Sequence, residues 1–222
     1  MLMGDPRVAE IPVQETGEEL VDTRTLADLT VAEHDAPGSP DYPFLRRSVA
    51  ERLCEAQRLL PHGLRILVAE GHRPYDLQEL YFSRHQRRLM DADPELSDEA
   101  AFLAASQFVA PPQVAPHVSG AAVDLTLLGP DDTPLDMGTE INATPEESHQ
   151  ACYFAATNIS ESAQINRTIL ARALEGAGLV NYPTEWWHWS FGDRYWALVR
   201  GNPHALFGAI HSLNEWPKAQ AS

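Results

Sequence analysis

Three well-separated segments carry side chains of the kinds that divalent metals and hydrolytic chemistry use: His117 with Asp124, Glu185 with His188 in the run EWWHW, and Arg73 in EGHRPYD. Zinc accepts imidazole nitrogen and carboxylate oxygen at about 2.0–2.2 Å, and a catalytic site keeps three protein ligands with one position open. Two histidines and one carboxylate from these segments complete such a set. The small residues Ser119, Gly120, Ala121 and Ala122 let the backbone between His117 and Asp124 fold back closely, so both side chains can reach one point. The plain alternative is a surface histidine in a loop and an aspartate at a strand end.

Glu185 and His188 are flanked by Trp186, Trp187 and Trp189, and an apolar surround raises a carboxyl pKa toward neutrality. Such a group can take a proton from a metal-activated water and deliver it to a leaving amine, which suits Glu185 as general base and acid. Otherwise Glu185 is an exposed acid and His188 a hydrogen-bonded core residue. Arg73 supplies an electrophile, because a guanidinium fixed at a strand end can donate two hydrogen bonds to the negative charge of a tetrahedral intermediate. It could equally be a structural cation paired with Glu70 or Asp76.

The elements that must hold these groups follow from periodicity. Leu45, Val49, Leu53, Ala56 and Leu60 recur at helical spacing from Phe44 until Pro61-His62-Gly63 stops the run. Residues 64–70 (LRILVAE) have strand length, and the Arg-Pro step that follows disfavours helix at Arg73, placing it at a strand end. Further helices are expected over Asp76–Leu89, with Leu77, Leu80, Tyr81 and His85 near one stripe, and over Asp98–Phe108, capped by Ser97. Val123, Leu125 and Leu127 alternate with Asp124 and Thr126, which reads as a strand with the polar pair on its less apolar face. Residues 129–149 read as a long irregular connection. Ile165, Ile169, Leu170, Ala173 and Leu174 mark another helix, ended by Gly176 and Gly178. Pro183 and the aromatic tract favour a strand with Glu185 in a turn or bulge at its entrance. His72 and His149 are assigned to packing and loop anchoring, and Tyr195 through Ile210 to core or lid.

With 222 residues and 44% hydrophobic content, the chain has the size of one domain, and a fibrous or disordered protein is excluded. Residues 1–42 read as an acidic arm packed on the core, and 43–222 as a single domain that carries all the candidate zinc ligands. A formal net charge of -16 repels phosphate backbones, which argues against nucleic acid as a partner. No apolar run approaches the roughly 20 residues of a bilayer span, and the first 20 residues lack a basic and apolar leader pattern. The expectation is therefore a cytoplasmic protein with no membrane partner. Cys54 and Cys152 read as buried free thiols. The sequence carries no signal for oligomeric state.

The order E-G-H-R-P-Y-D at 70–76, H-V-S-G-A-A-V-D-L-T-L at 117–127, M-G-T at 137–139, S-H at 148–149 and E-W-W-H-W at 185–189 resembles the zinc D-alanyl-D-alanine dipeptidases associated with vancomycin resistance. These belong to the D-Ala-D-Ala metallopeptidases that share a fold with the Hedgehog amino-terminal domain. The resemblance covers about Pro43 to Phe191. It implies an α+β fold with a central antiparallel sheet carrying the metal ligands and helices packed around it. It also implies one Zn2+ ion on His117, Asp124 and His188, Glu185 as catalytic base, Arg73 stabilising the intermediate, and a small D-Ala-D-Ala-like peptide as substrate. The chain departs from the family where Ala115 replaces a common serine and where Ile141-Asn142 replaces Phe-Asp. Losing that carboxylate removes a partner for the substrate ammonium. Two other functions therefore stand beside the dipeptidase: a D,D-carboxypeptidase acting on longer peptidoglycan stems, and a non-catalytic, zinc-stabilised binding module.

Overall fold

The structure is a computed structural model that describes residues 2–33, 39–106 and 109–211. At its centre is a five-stranded sheet in the order β2-β4-β5-β7-β6, formed by Thr30–Val31 (β2), Arg65–Glu70 (β4), Ala122–Leu128 (β5), Val180–Tyr182 (β6) and Glu185–Ser190 (β7). The β4/β5, β5/β7 and β6/β7 ladders are antiparallel, while the short edge strand β2 runs parallel to β4. Leu20–Asp22 (β1) and Phe44–Arg46 (β3) form a separate two-stranded antiparallel ribbon. Among the described residues, six α-helices complete the α+β fold: Pro6–Glu10 (α1), Arg47–Leu59 (α2), Tyr75–Ala92 (α3), Asp98–Ala105 (α4), Glu161–Gly176 (α5) and Arg194–Arg200 (α6). None of the described helices is long and apolar enough to cross a membrane.

The core lies on one face of the sheet. Val123, Leu125 and Leu127 of β5 are fully buried against Val49, Leu53 and Ala56 of α2 and Leu170, Leu174 and Ala171 of α5. Every residue of β5 is buried, as befits a central strand covered on both sides. Asp124 and Thr126 point the other way, so strand alternation alone delivers Asp124 to the face opposite the core.

Several expectations shift in detail. The α2 pattern begins at Phe44 in the sequence, yet the helix starts at Arg47, because residues 44–46 are held extended by pairing with β1. Leu60 is extended (φ -69, ψ 149), as expected immediately before Pro61. Helix α3 runs from Tyr75, directly after Pro74, to Ala92, and its buried residues are Gln78 and Phe82 rather than the stripe through Leu80 and Tyr81. The reason is position: α3 forms a peripheral hairpin with α4, joined by the edge-on contact of Phe82 with Phe102. Ser97 caps α4 by accepting from the Ala100 amide at 3.3 Å. The expected end of that helix, Phe108, lies outside the described residues.

The irregular connection begins at Gly129 and continues past His149 to Ser160, where α5 starts. Its one β-bridge joins Leu128 to Pro134. The amino-terminal residues supply α1, β1 and β2. Met3 and Val8 pack with Val180, Tyr182 and Tyr195 in a second apolar cluster behind β6. Cys152 is a buried free thiol, whereas Cys54 is only half-buried.

Candidate metal centre and catalytic groups

The three candidate ligands converge. Asp124 of β5 and His188 of β7 are direct partners across the β5/β7 ladder, which places both side chains on the same face of the sheet. His117 arrives from outside the sheet, on a 3-10 turn at Pro116–Ser119. Gly120 closes that turn in the left-handed region (φ 69, ψ 16), and a Cβ there would lie 2.8 Å from Leu20. The turn is held by the fully buried Arg46, whose Nε donates to Ser119 O at 2.7 Å and whose backbone amide donates to Gly120 O at 2.9 Å. So two candidate ligands sit on the sheet, and the third sits on a turn pinned beside it.

The distances among the ligand atoms fit a metal. His117 Nε2 lies 3.1 Å from His188 Nδ1 and 3.3 Å from Asp124 Oδ1, and His188 Nδ1 lies 3.0 Å from the same oxygen. A tetrahedral ion with ligands at about 2.0–2.1 Å separates them by roughly 3.3 Å. His117, Asp124 and His188 are each buried. His117 Nδ1 is 2.7 Å from Gly71 O; donation to that carbonyl puts the proton on Nδ1 and leaves Nε2 as the ligand atom. Burial lowers the His117 pKa, but the Asp124 carboxylate outweighs it and raises the pKa overall. Asp124 is held well below the usual carboxylate range: burial pushes it up, and the two imidazoles override that.

Glu185 is the first residue of β7, reached through the two-residue Pro183-Thr184 connection, with a register irregularity between Asn181 and Tyr182 on the partner strand. Its Oε2 is 3.8 Å from His188 Nδ1, and its side chain is 30% exposed against 4–6% for the three ligands. It thus borders the cluster without joining it and remains open to a substrate. Burial raises its pKa to about 7, where a carboxyl group can both accept and release a proton near neutrality.

Arg73 follows β4 and forms the ion pair anticipated as its structural alternative, with Glu70 rather than Asp76. Nε and Nη2 donate to the two Glu70 oxygens at 2.8 and 2.6 Å, and Nη1 donates to Gln78 Oε1 at 2.8 Å. Gln78 is itself fixed by donating to Ala110 O at 2.8 Å. A guanidinium carries five N–H donors, so these three bonds leave two for another acceptor. The Arg73 amide donates to His117 O at 3.2 Å, tying the two segments together, and the Arg73 charge acts on Glu185.

Sequence reasoning did not single out Gly71, Gln78 or Arg46 as supports of these groups. Gly71 had a detectable signal, since it stands directly before His72-Arg73 where β4 ends. Arg46 and Gln78 act through folded contacts that spacing does not reveal. His72 is buried, and His149 adopts a left-handed turn conformation with its carbonyl accepting from Asn158. Asn142 is exposed with φ 65, a conformation asparagine adopts more readily than most residues.

A family model described as D-ala-D-ala dipeptidase matches residues 43–204. The chain is 31% identical over 223 residues to a D-alanyl-D-alanine dipeptidase of Synechocystis sp., covering 87% of this chain and 90% of that protein. It is 28% identical over 127 residues to a D-alanyl-D-alanine dipeptidase of Escherichia coli, covering 57% and 54%. Among solved structures it is similar to VanY, a vancomycin-resistance D,D-pentapeptidase solved with Zn(II), at 15% identity and a TM-score of 0.41 over 81% of this chain and 88% of that one. The LD-carboxypeptidase LdcB gives 16% identity and a TM-score of 0.41 over 84% and 74%.

Proposed function

Because the chain belongs to the D-Ala-D-Ala dipeptidase family of metallopeptidases, we propose that it hydrolyses the amide bond of D-alanyl-D-alanine or a related short D-peptide, using one zinc ion held by His117, Asp124 and His188. The observation that carries this reading is the ligand-atom triangle of 3.0–3.3 Å, built from two imidazoles and one carboxylate. Such a set suits zinc and leaves a coordination position for chemistry. When bound, the ion supplies Lewis-acid polarisation of the scissile carbonyl and lowers the pKa of water toward 7.

Glu185 is the general base: its carboxylate takes the proton of the attacking water and then hands it to the departing amine. A pKa of about 7 suits both halves of that transfer. Arg73, locked by Glu70 and Gln78, presents its two remaining donors to the oxyanion that forms as the carbonyl is attacked. The Glu185→Gln protein should bind zinc as the parent does and lose about 10²–10⁴ in turnover. Parental hydrolysis of D-Ala-D-Ala by that variant would remove Glu185 from the role.

The exposed, neutral Asn142 favours a second reading, D,D-carboxypeptidase action on longer stems, since a longer substrate presents no ammonium at that place. Parallel assays on D-Ala-D-Ala and on an N-acylated tripeptide ending in D-Ala-D-Ala separate the two.

A further inference from the structure

We infer that Arg167 of α5 is a positioning residue: it anchors both stems of the 138–150 loop against Trp186 and so fixes the backbone beside Glu185. The inference rests on the peptidase reading above. Arg167 is 2% exposed, and among the described residues it forms no ion pair. Its donors go to backbone carbonyls instead. Nε donates to Met137 O at 2.8 Å on the first stem, while Nη2 donates to Ala151 O at 2.8 Å and Nη1 to Tyr153 O at 2.6 Å on the second. One planar group therefore bridges two pieces of chain that enter and leave the same loop, which the single ammonium of a lysine cannot reproduce.

The same guanidinium lies over the Trp186 ring, 5.6 Å from its centroid. Trp186 follows Glu185 and is tied to the loop twice more: its Nε1 donates to Thr139 Oγ1 at 2.8 Å, and its amide donates to Cys152 O at 3.0 Å. Gly138 allows the close approach, having φ +87 and a Cβ position 2.7 Å from Ile159 and 3.2 Å from Arg167 Nη2.

Two features show why the loop needs such an anchor. Asn142, His149 and Gln150 all adopt left-handed backbone conformations, which cost free energy at His149 and Gln150. The loop also faces α3 electrostatically: burial and Arg88 lower the pKa of His85, and the Glu146 charge opposes them. Helix α3 carries Gln78, which holds Arg73. The two stems of the loop thus share one buried cation, next to the residue that follows Glu185.

The test compares the full, zinc-loaded chain with its Arg167→Lys and Arg167→Met variants, measuring kcat and KM on D-Ala-D-Ala, zinc content, and amide hydrogen exchange. If loosening leaves about a tenth of molecules with the loop in place, KM rises about tenfold with kcat little changed. Zinc content should stay parental, and exchange should accelerate across residues 138–150 while the β5/β7 ladder stays protected. Parental KM in a folded variant, with or without faster loop exchange, overturns the positioning role. Should Arg167→Met fail to fold, Gly138→Ala displaces the same stem from the loop side and must give the same KM pattern. A parental protein that hydrolyses no D-peptide defeats the peptidase reading instead, and the exchange comparison still decides whether Arg167 anchors the loop.

Discussion

Replacing Arg73 by lysine keeps the positive charge and changes only how its donors are spent. Three of the five guanidinium donors are committed to Glu70 Oε1, Glu70 Oε2 and Gln78 Oε1 at 2.6–2.8 Å, leaving two for an oxyanion. A lysine ammonium has three donors in all, and these same oxygens would consume them. Arg73→Lys therefore leaves no donor aimed at the reacting carbonyl, a loss of about 10²–10³ in kcat, or ~2.7–4 kcal/mol of transition-state stabilisation. KM and zinc content should change little, because neither the ligand triangle nor ground-state binding is touched. Steady-state kinetics on D-Ala-D-Ala with zinc quantified on the same sample decides it. A variant that keeps kcat within about threefold of the parent, less than 1 kcal/mol, would refute the assignment and return Arg73 to the structural ion pair alone.

Three further outcomes follow from the same geometry. Gly71→Ala places a Cβ 2.7 Å from Phe44 O and 2.9 Å from Tyr42 O, so the end of β4 must shift and carry with it the carbonyl that orients His117. Zinc affinity by competition titration should fall about 10–100-fold, and an unchanged affinity would count against that support. Chelation of the metal should lower stability by about 4 kcal/mol relative to protein in free zinc a thousandfold above its dissociation constant, about 10 °C in Tm; an unmoved melting curve would deny the site a metal. For Glu70, burial raises the pKa and the Arg73 guanidinium overrides it, leaving the group below its ordinary 4.5. A depressed acid contributes stability above pH 4.5 that is lost as pH falls through its folded value. Glu70→Gln should therefore flatten the metal-free protein's stability profile below pH 4.5, and a profile as steep as the parent's would contradict the pairing.

The convergence of the candidate ligands was more legible than the scaffold. Asp124 could be read because alternation within Val123–Leu127 decides which side it faces, and His188 because its tryptophan neighbours mark a buried strand. Spacing could not show that His117 would come from a turn, since that depends on Arg46 reaching Ser119 across 73 residues. The edge elements were silent for a related reason. Strands β1, β2 and β6 have two or three residues each, too few for a period, and they exist because neighbouring strands offer unpaired backbone. In helix α3 the stripe through Leu80 and Tyr81 does not mark the buried face: those two stand 44% and 38% exposed on a peripheral hairpin, while Gln78 and Phe82 are buried. Arg167 was hidden in a helix identified from its apolar neighbours. It occupies the same buried stripe as Ala163, Leu170 and Leu174, and a charge at such a position is itself the clue.

Asp124 and His188 are opposite one another on the ladder, while Val123 and Trp189, also opposite one another, fill the core. Sliding either strand by one residue would turn that strand's candidate ligand inward and its apolar neighbour out, separating the pair. An ion captured by the correct pairing would lower the free energy of that arrangement alone, so a metal bound there would act as a proofreader of assembly, separating chains whose sheet has zipped correctly from those that are merely collapsed.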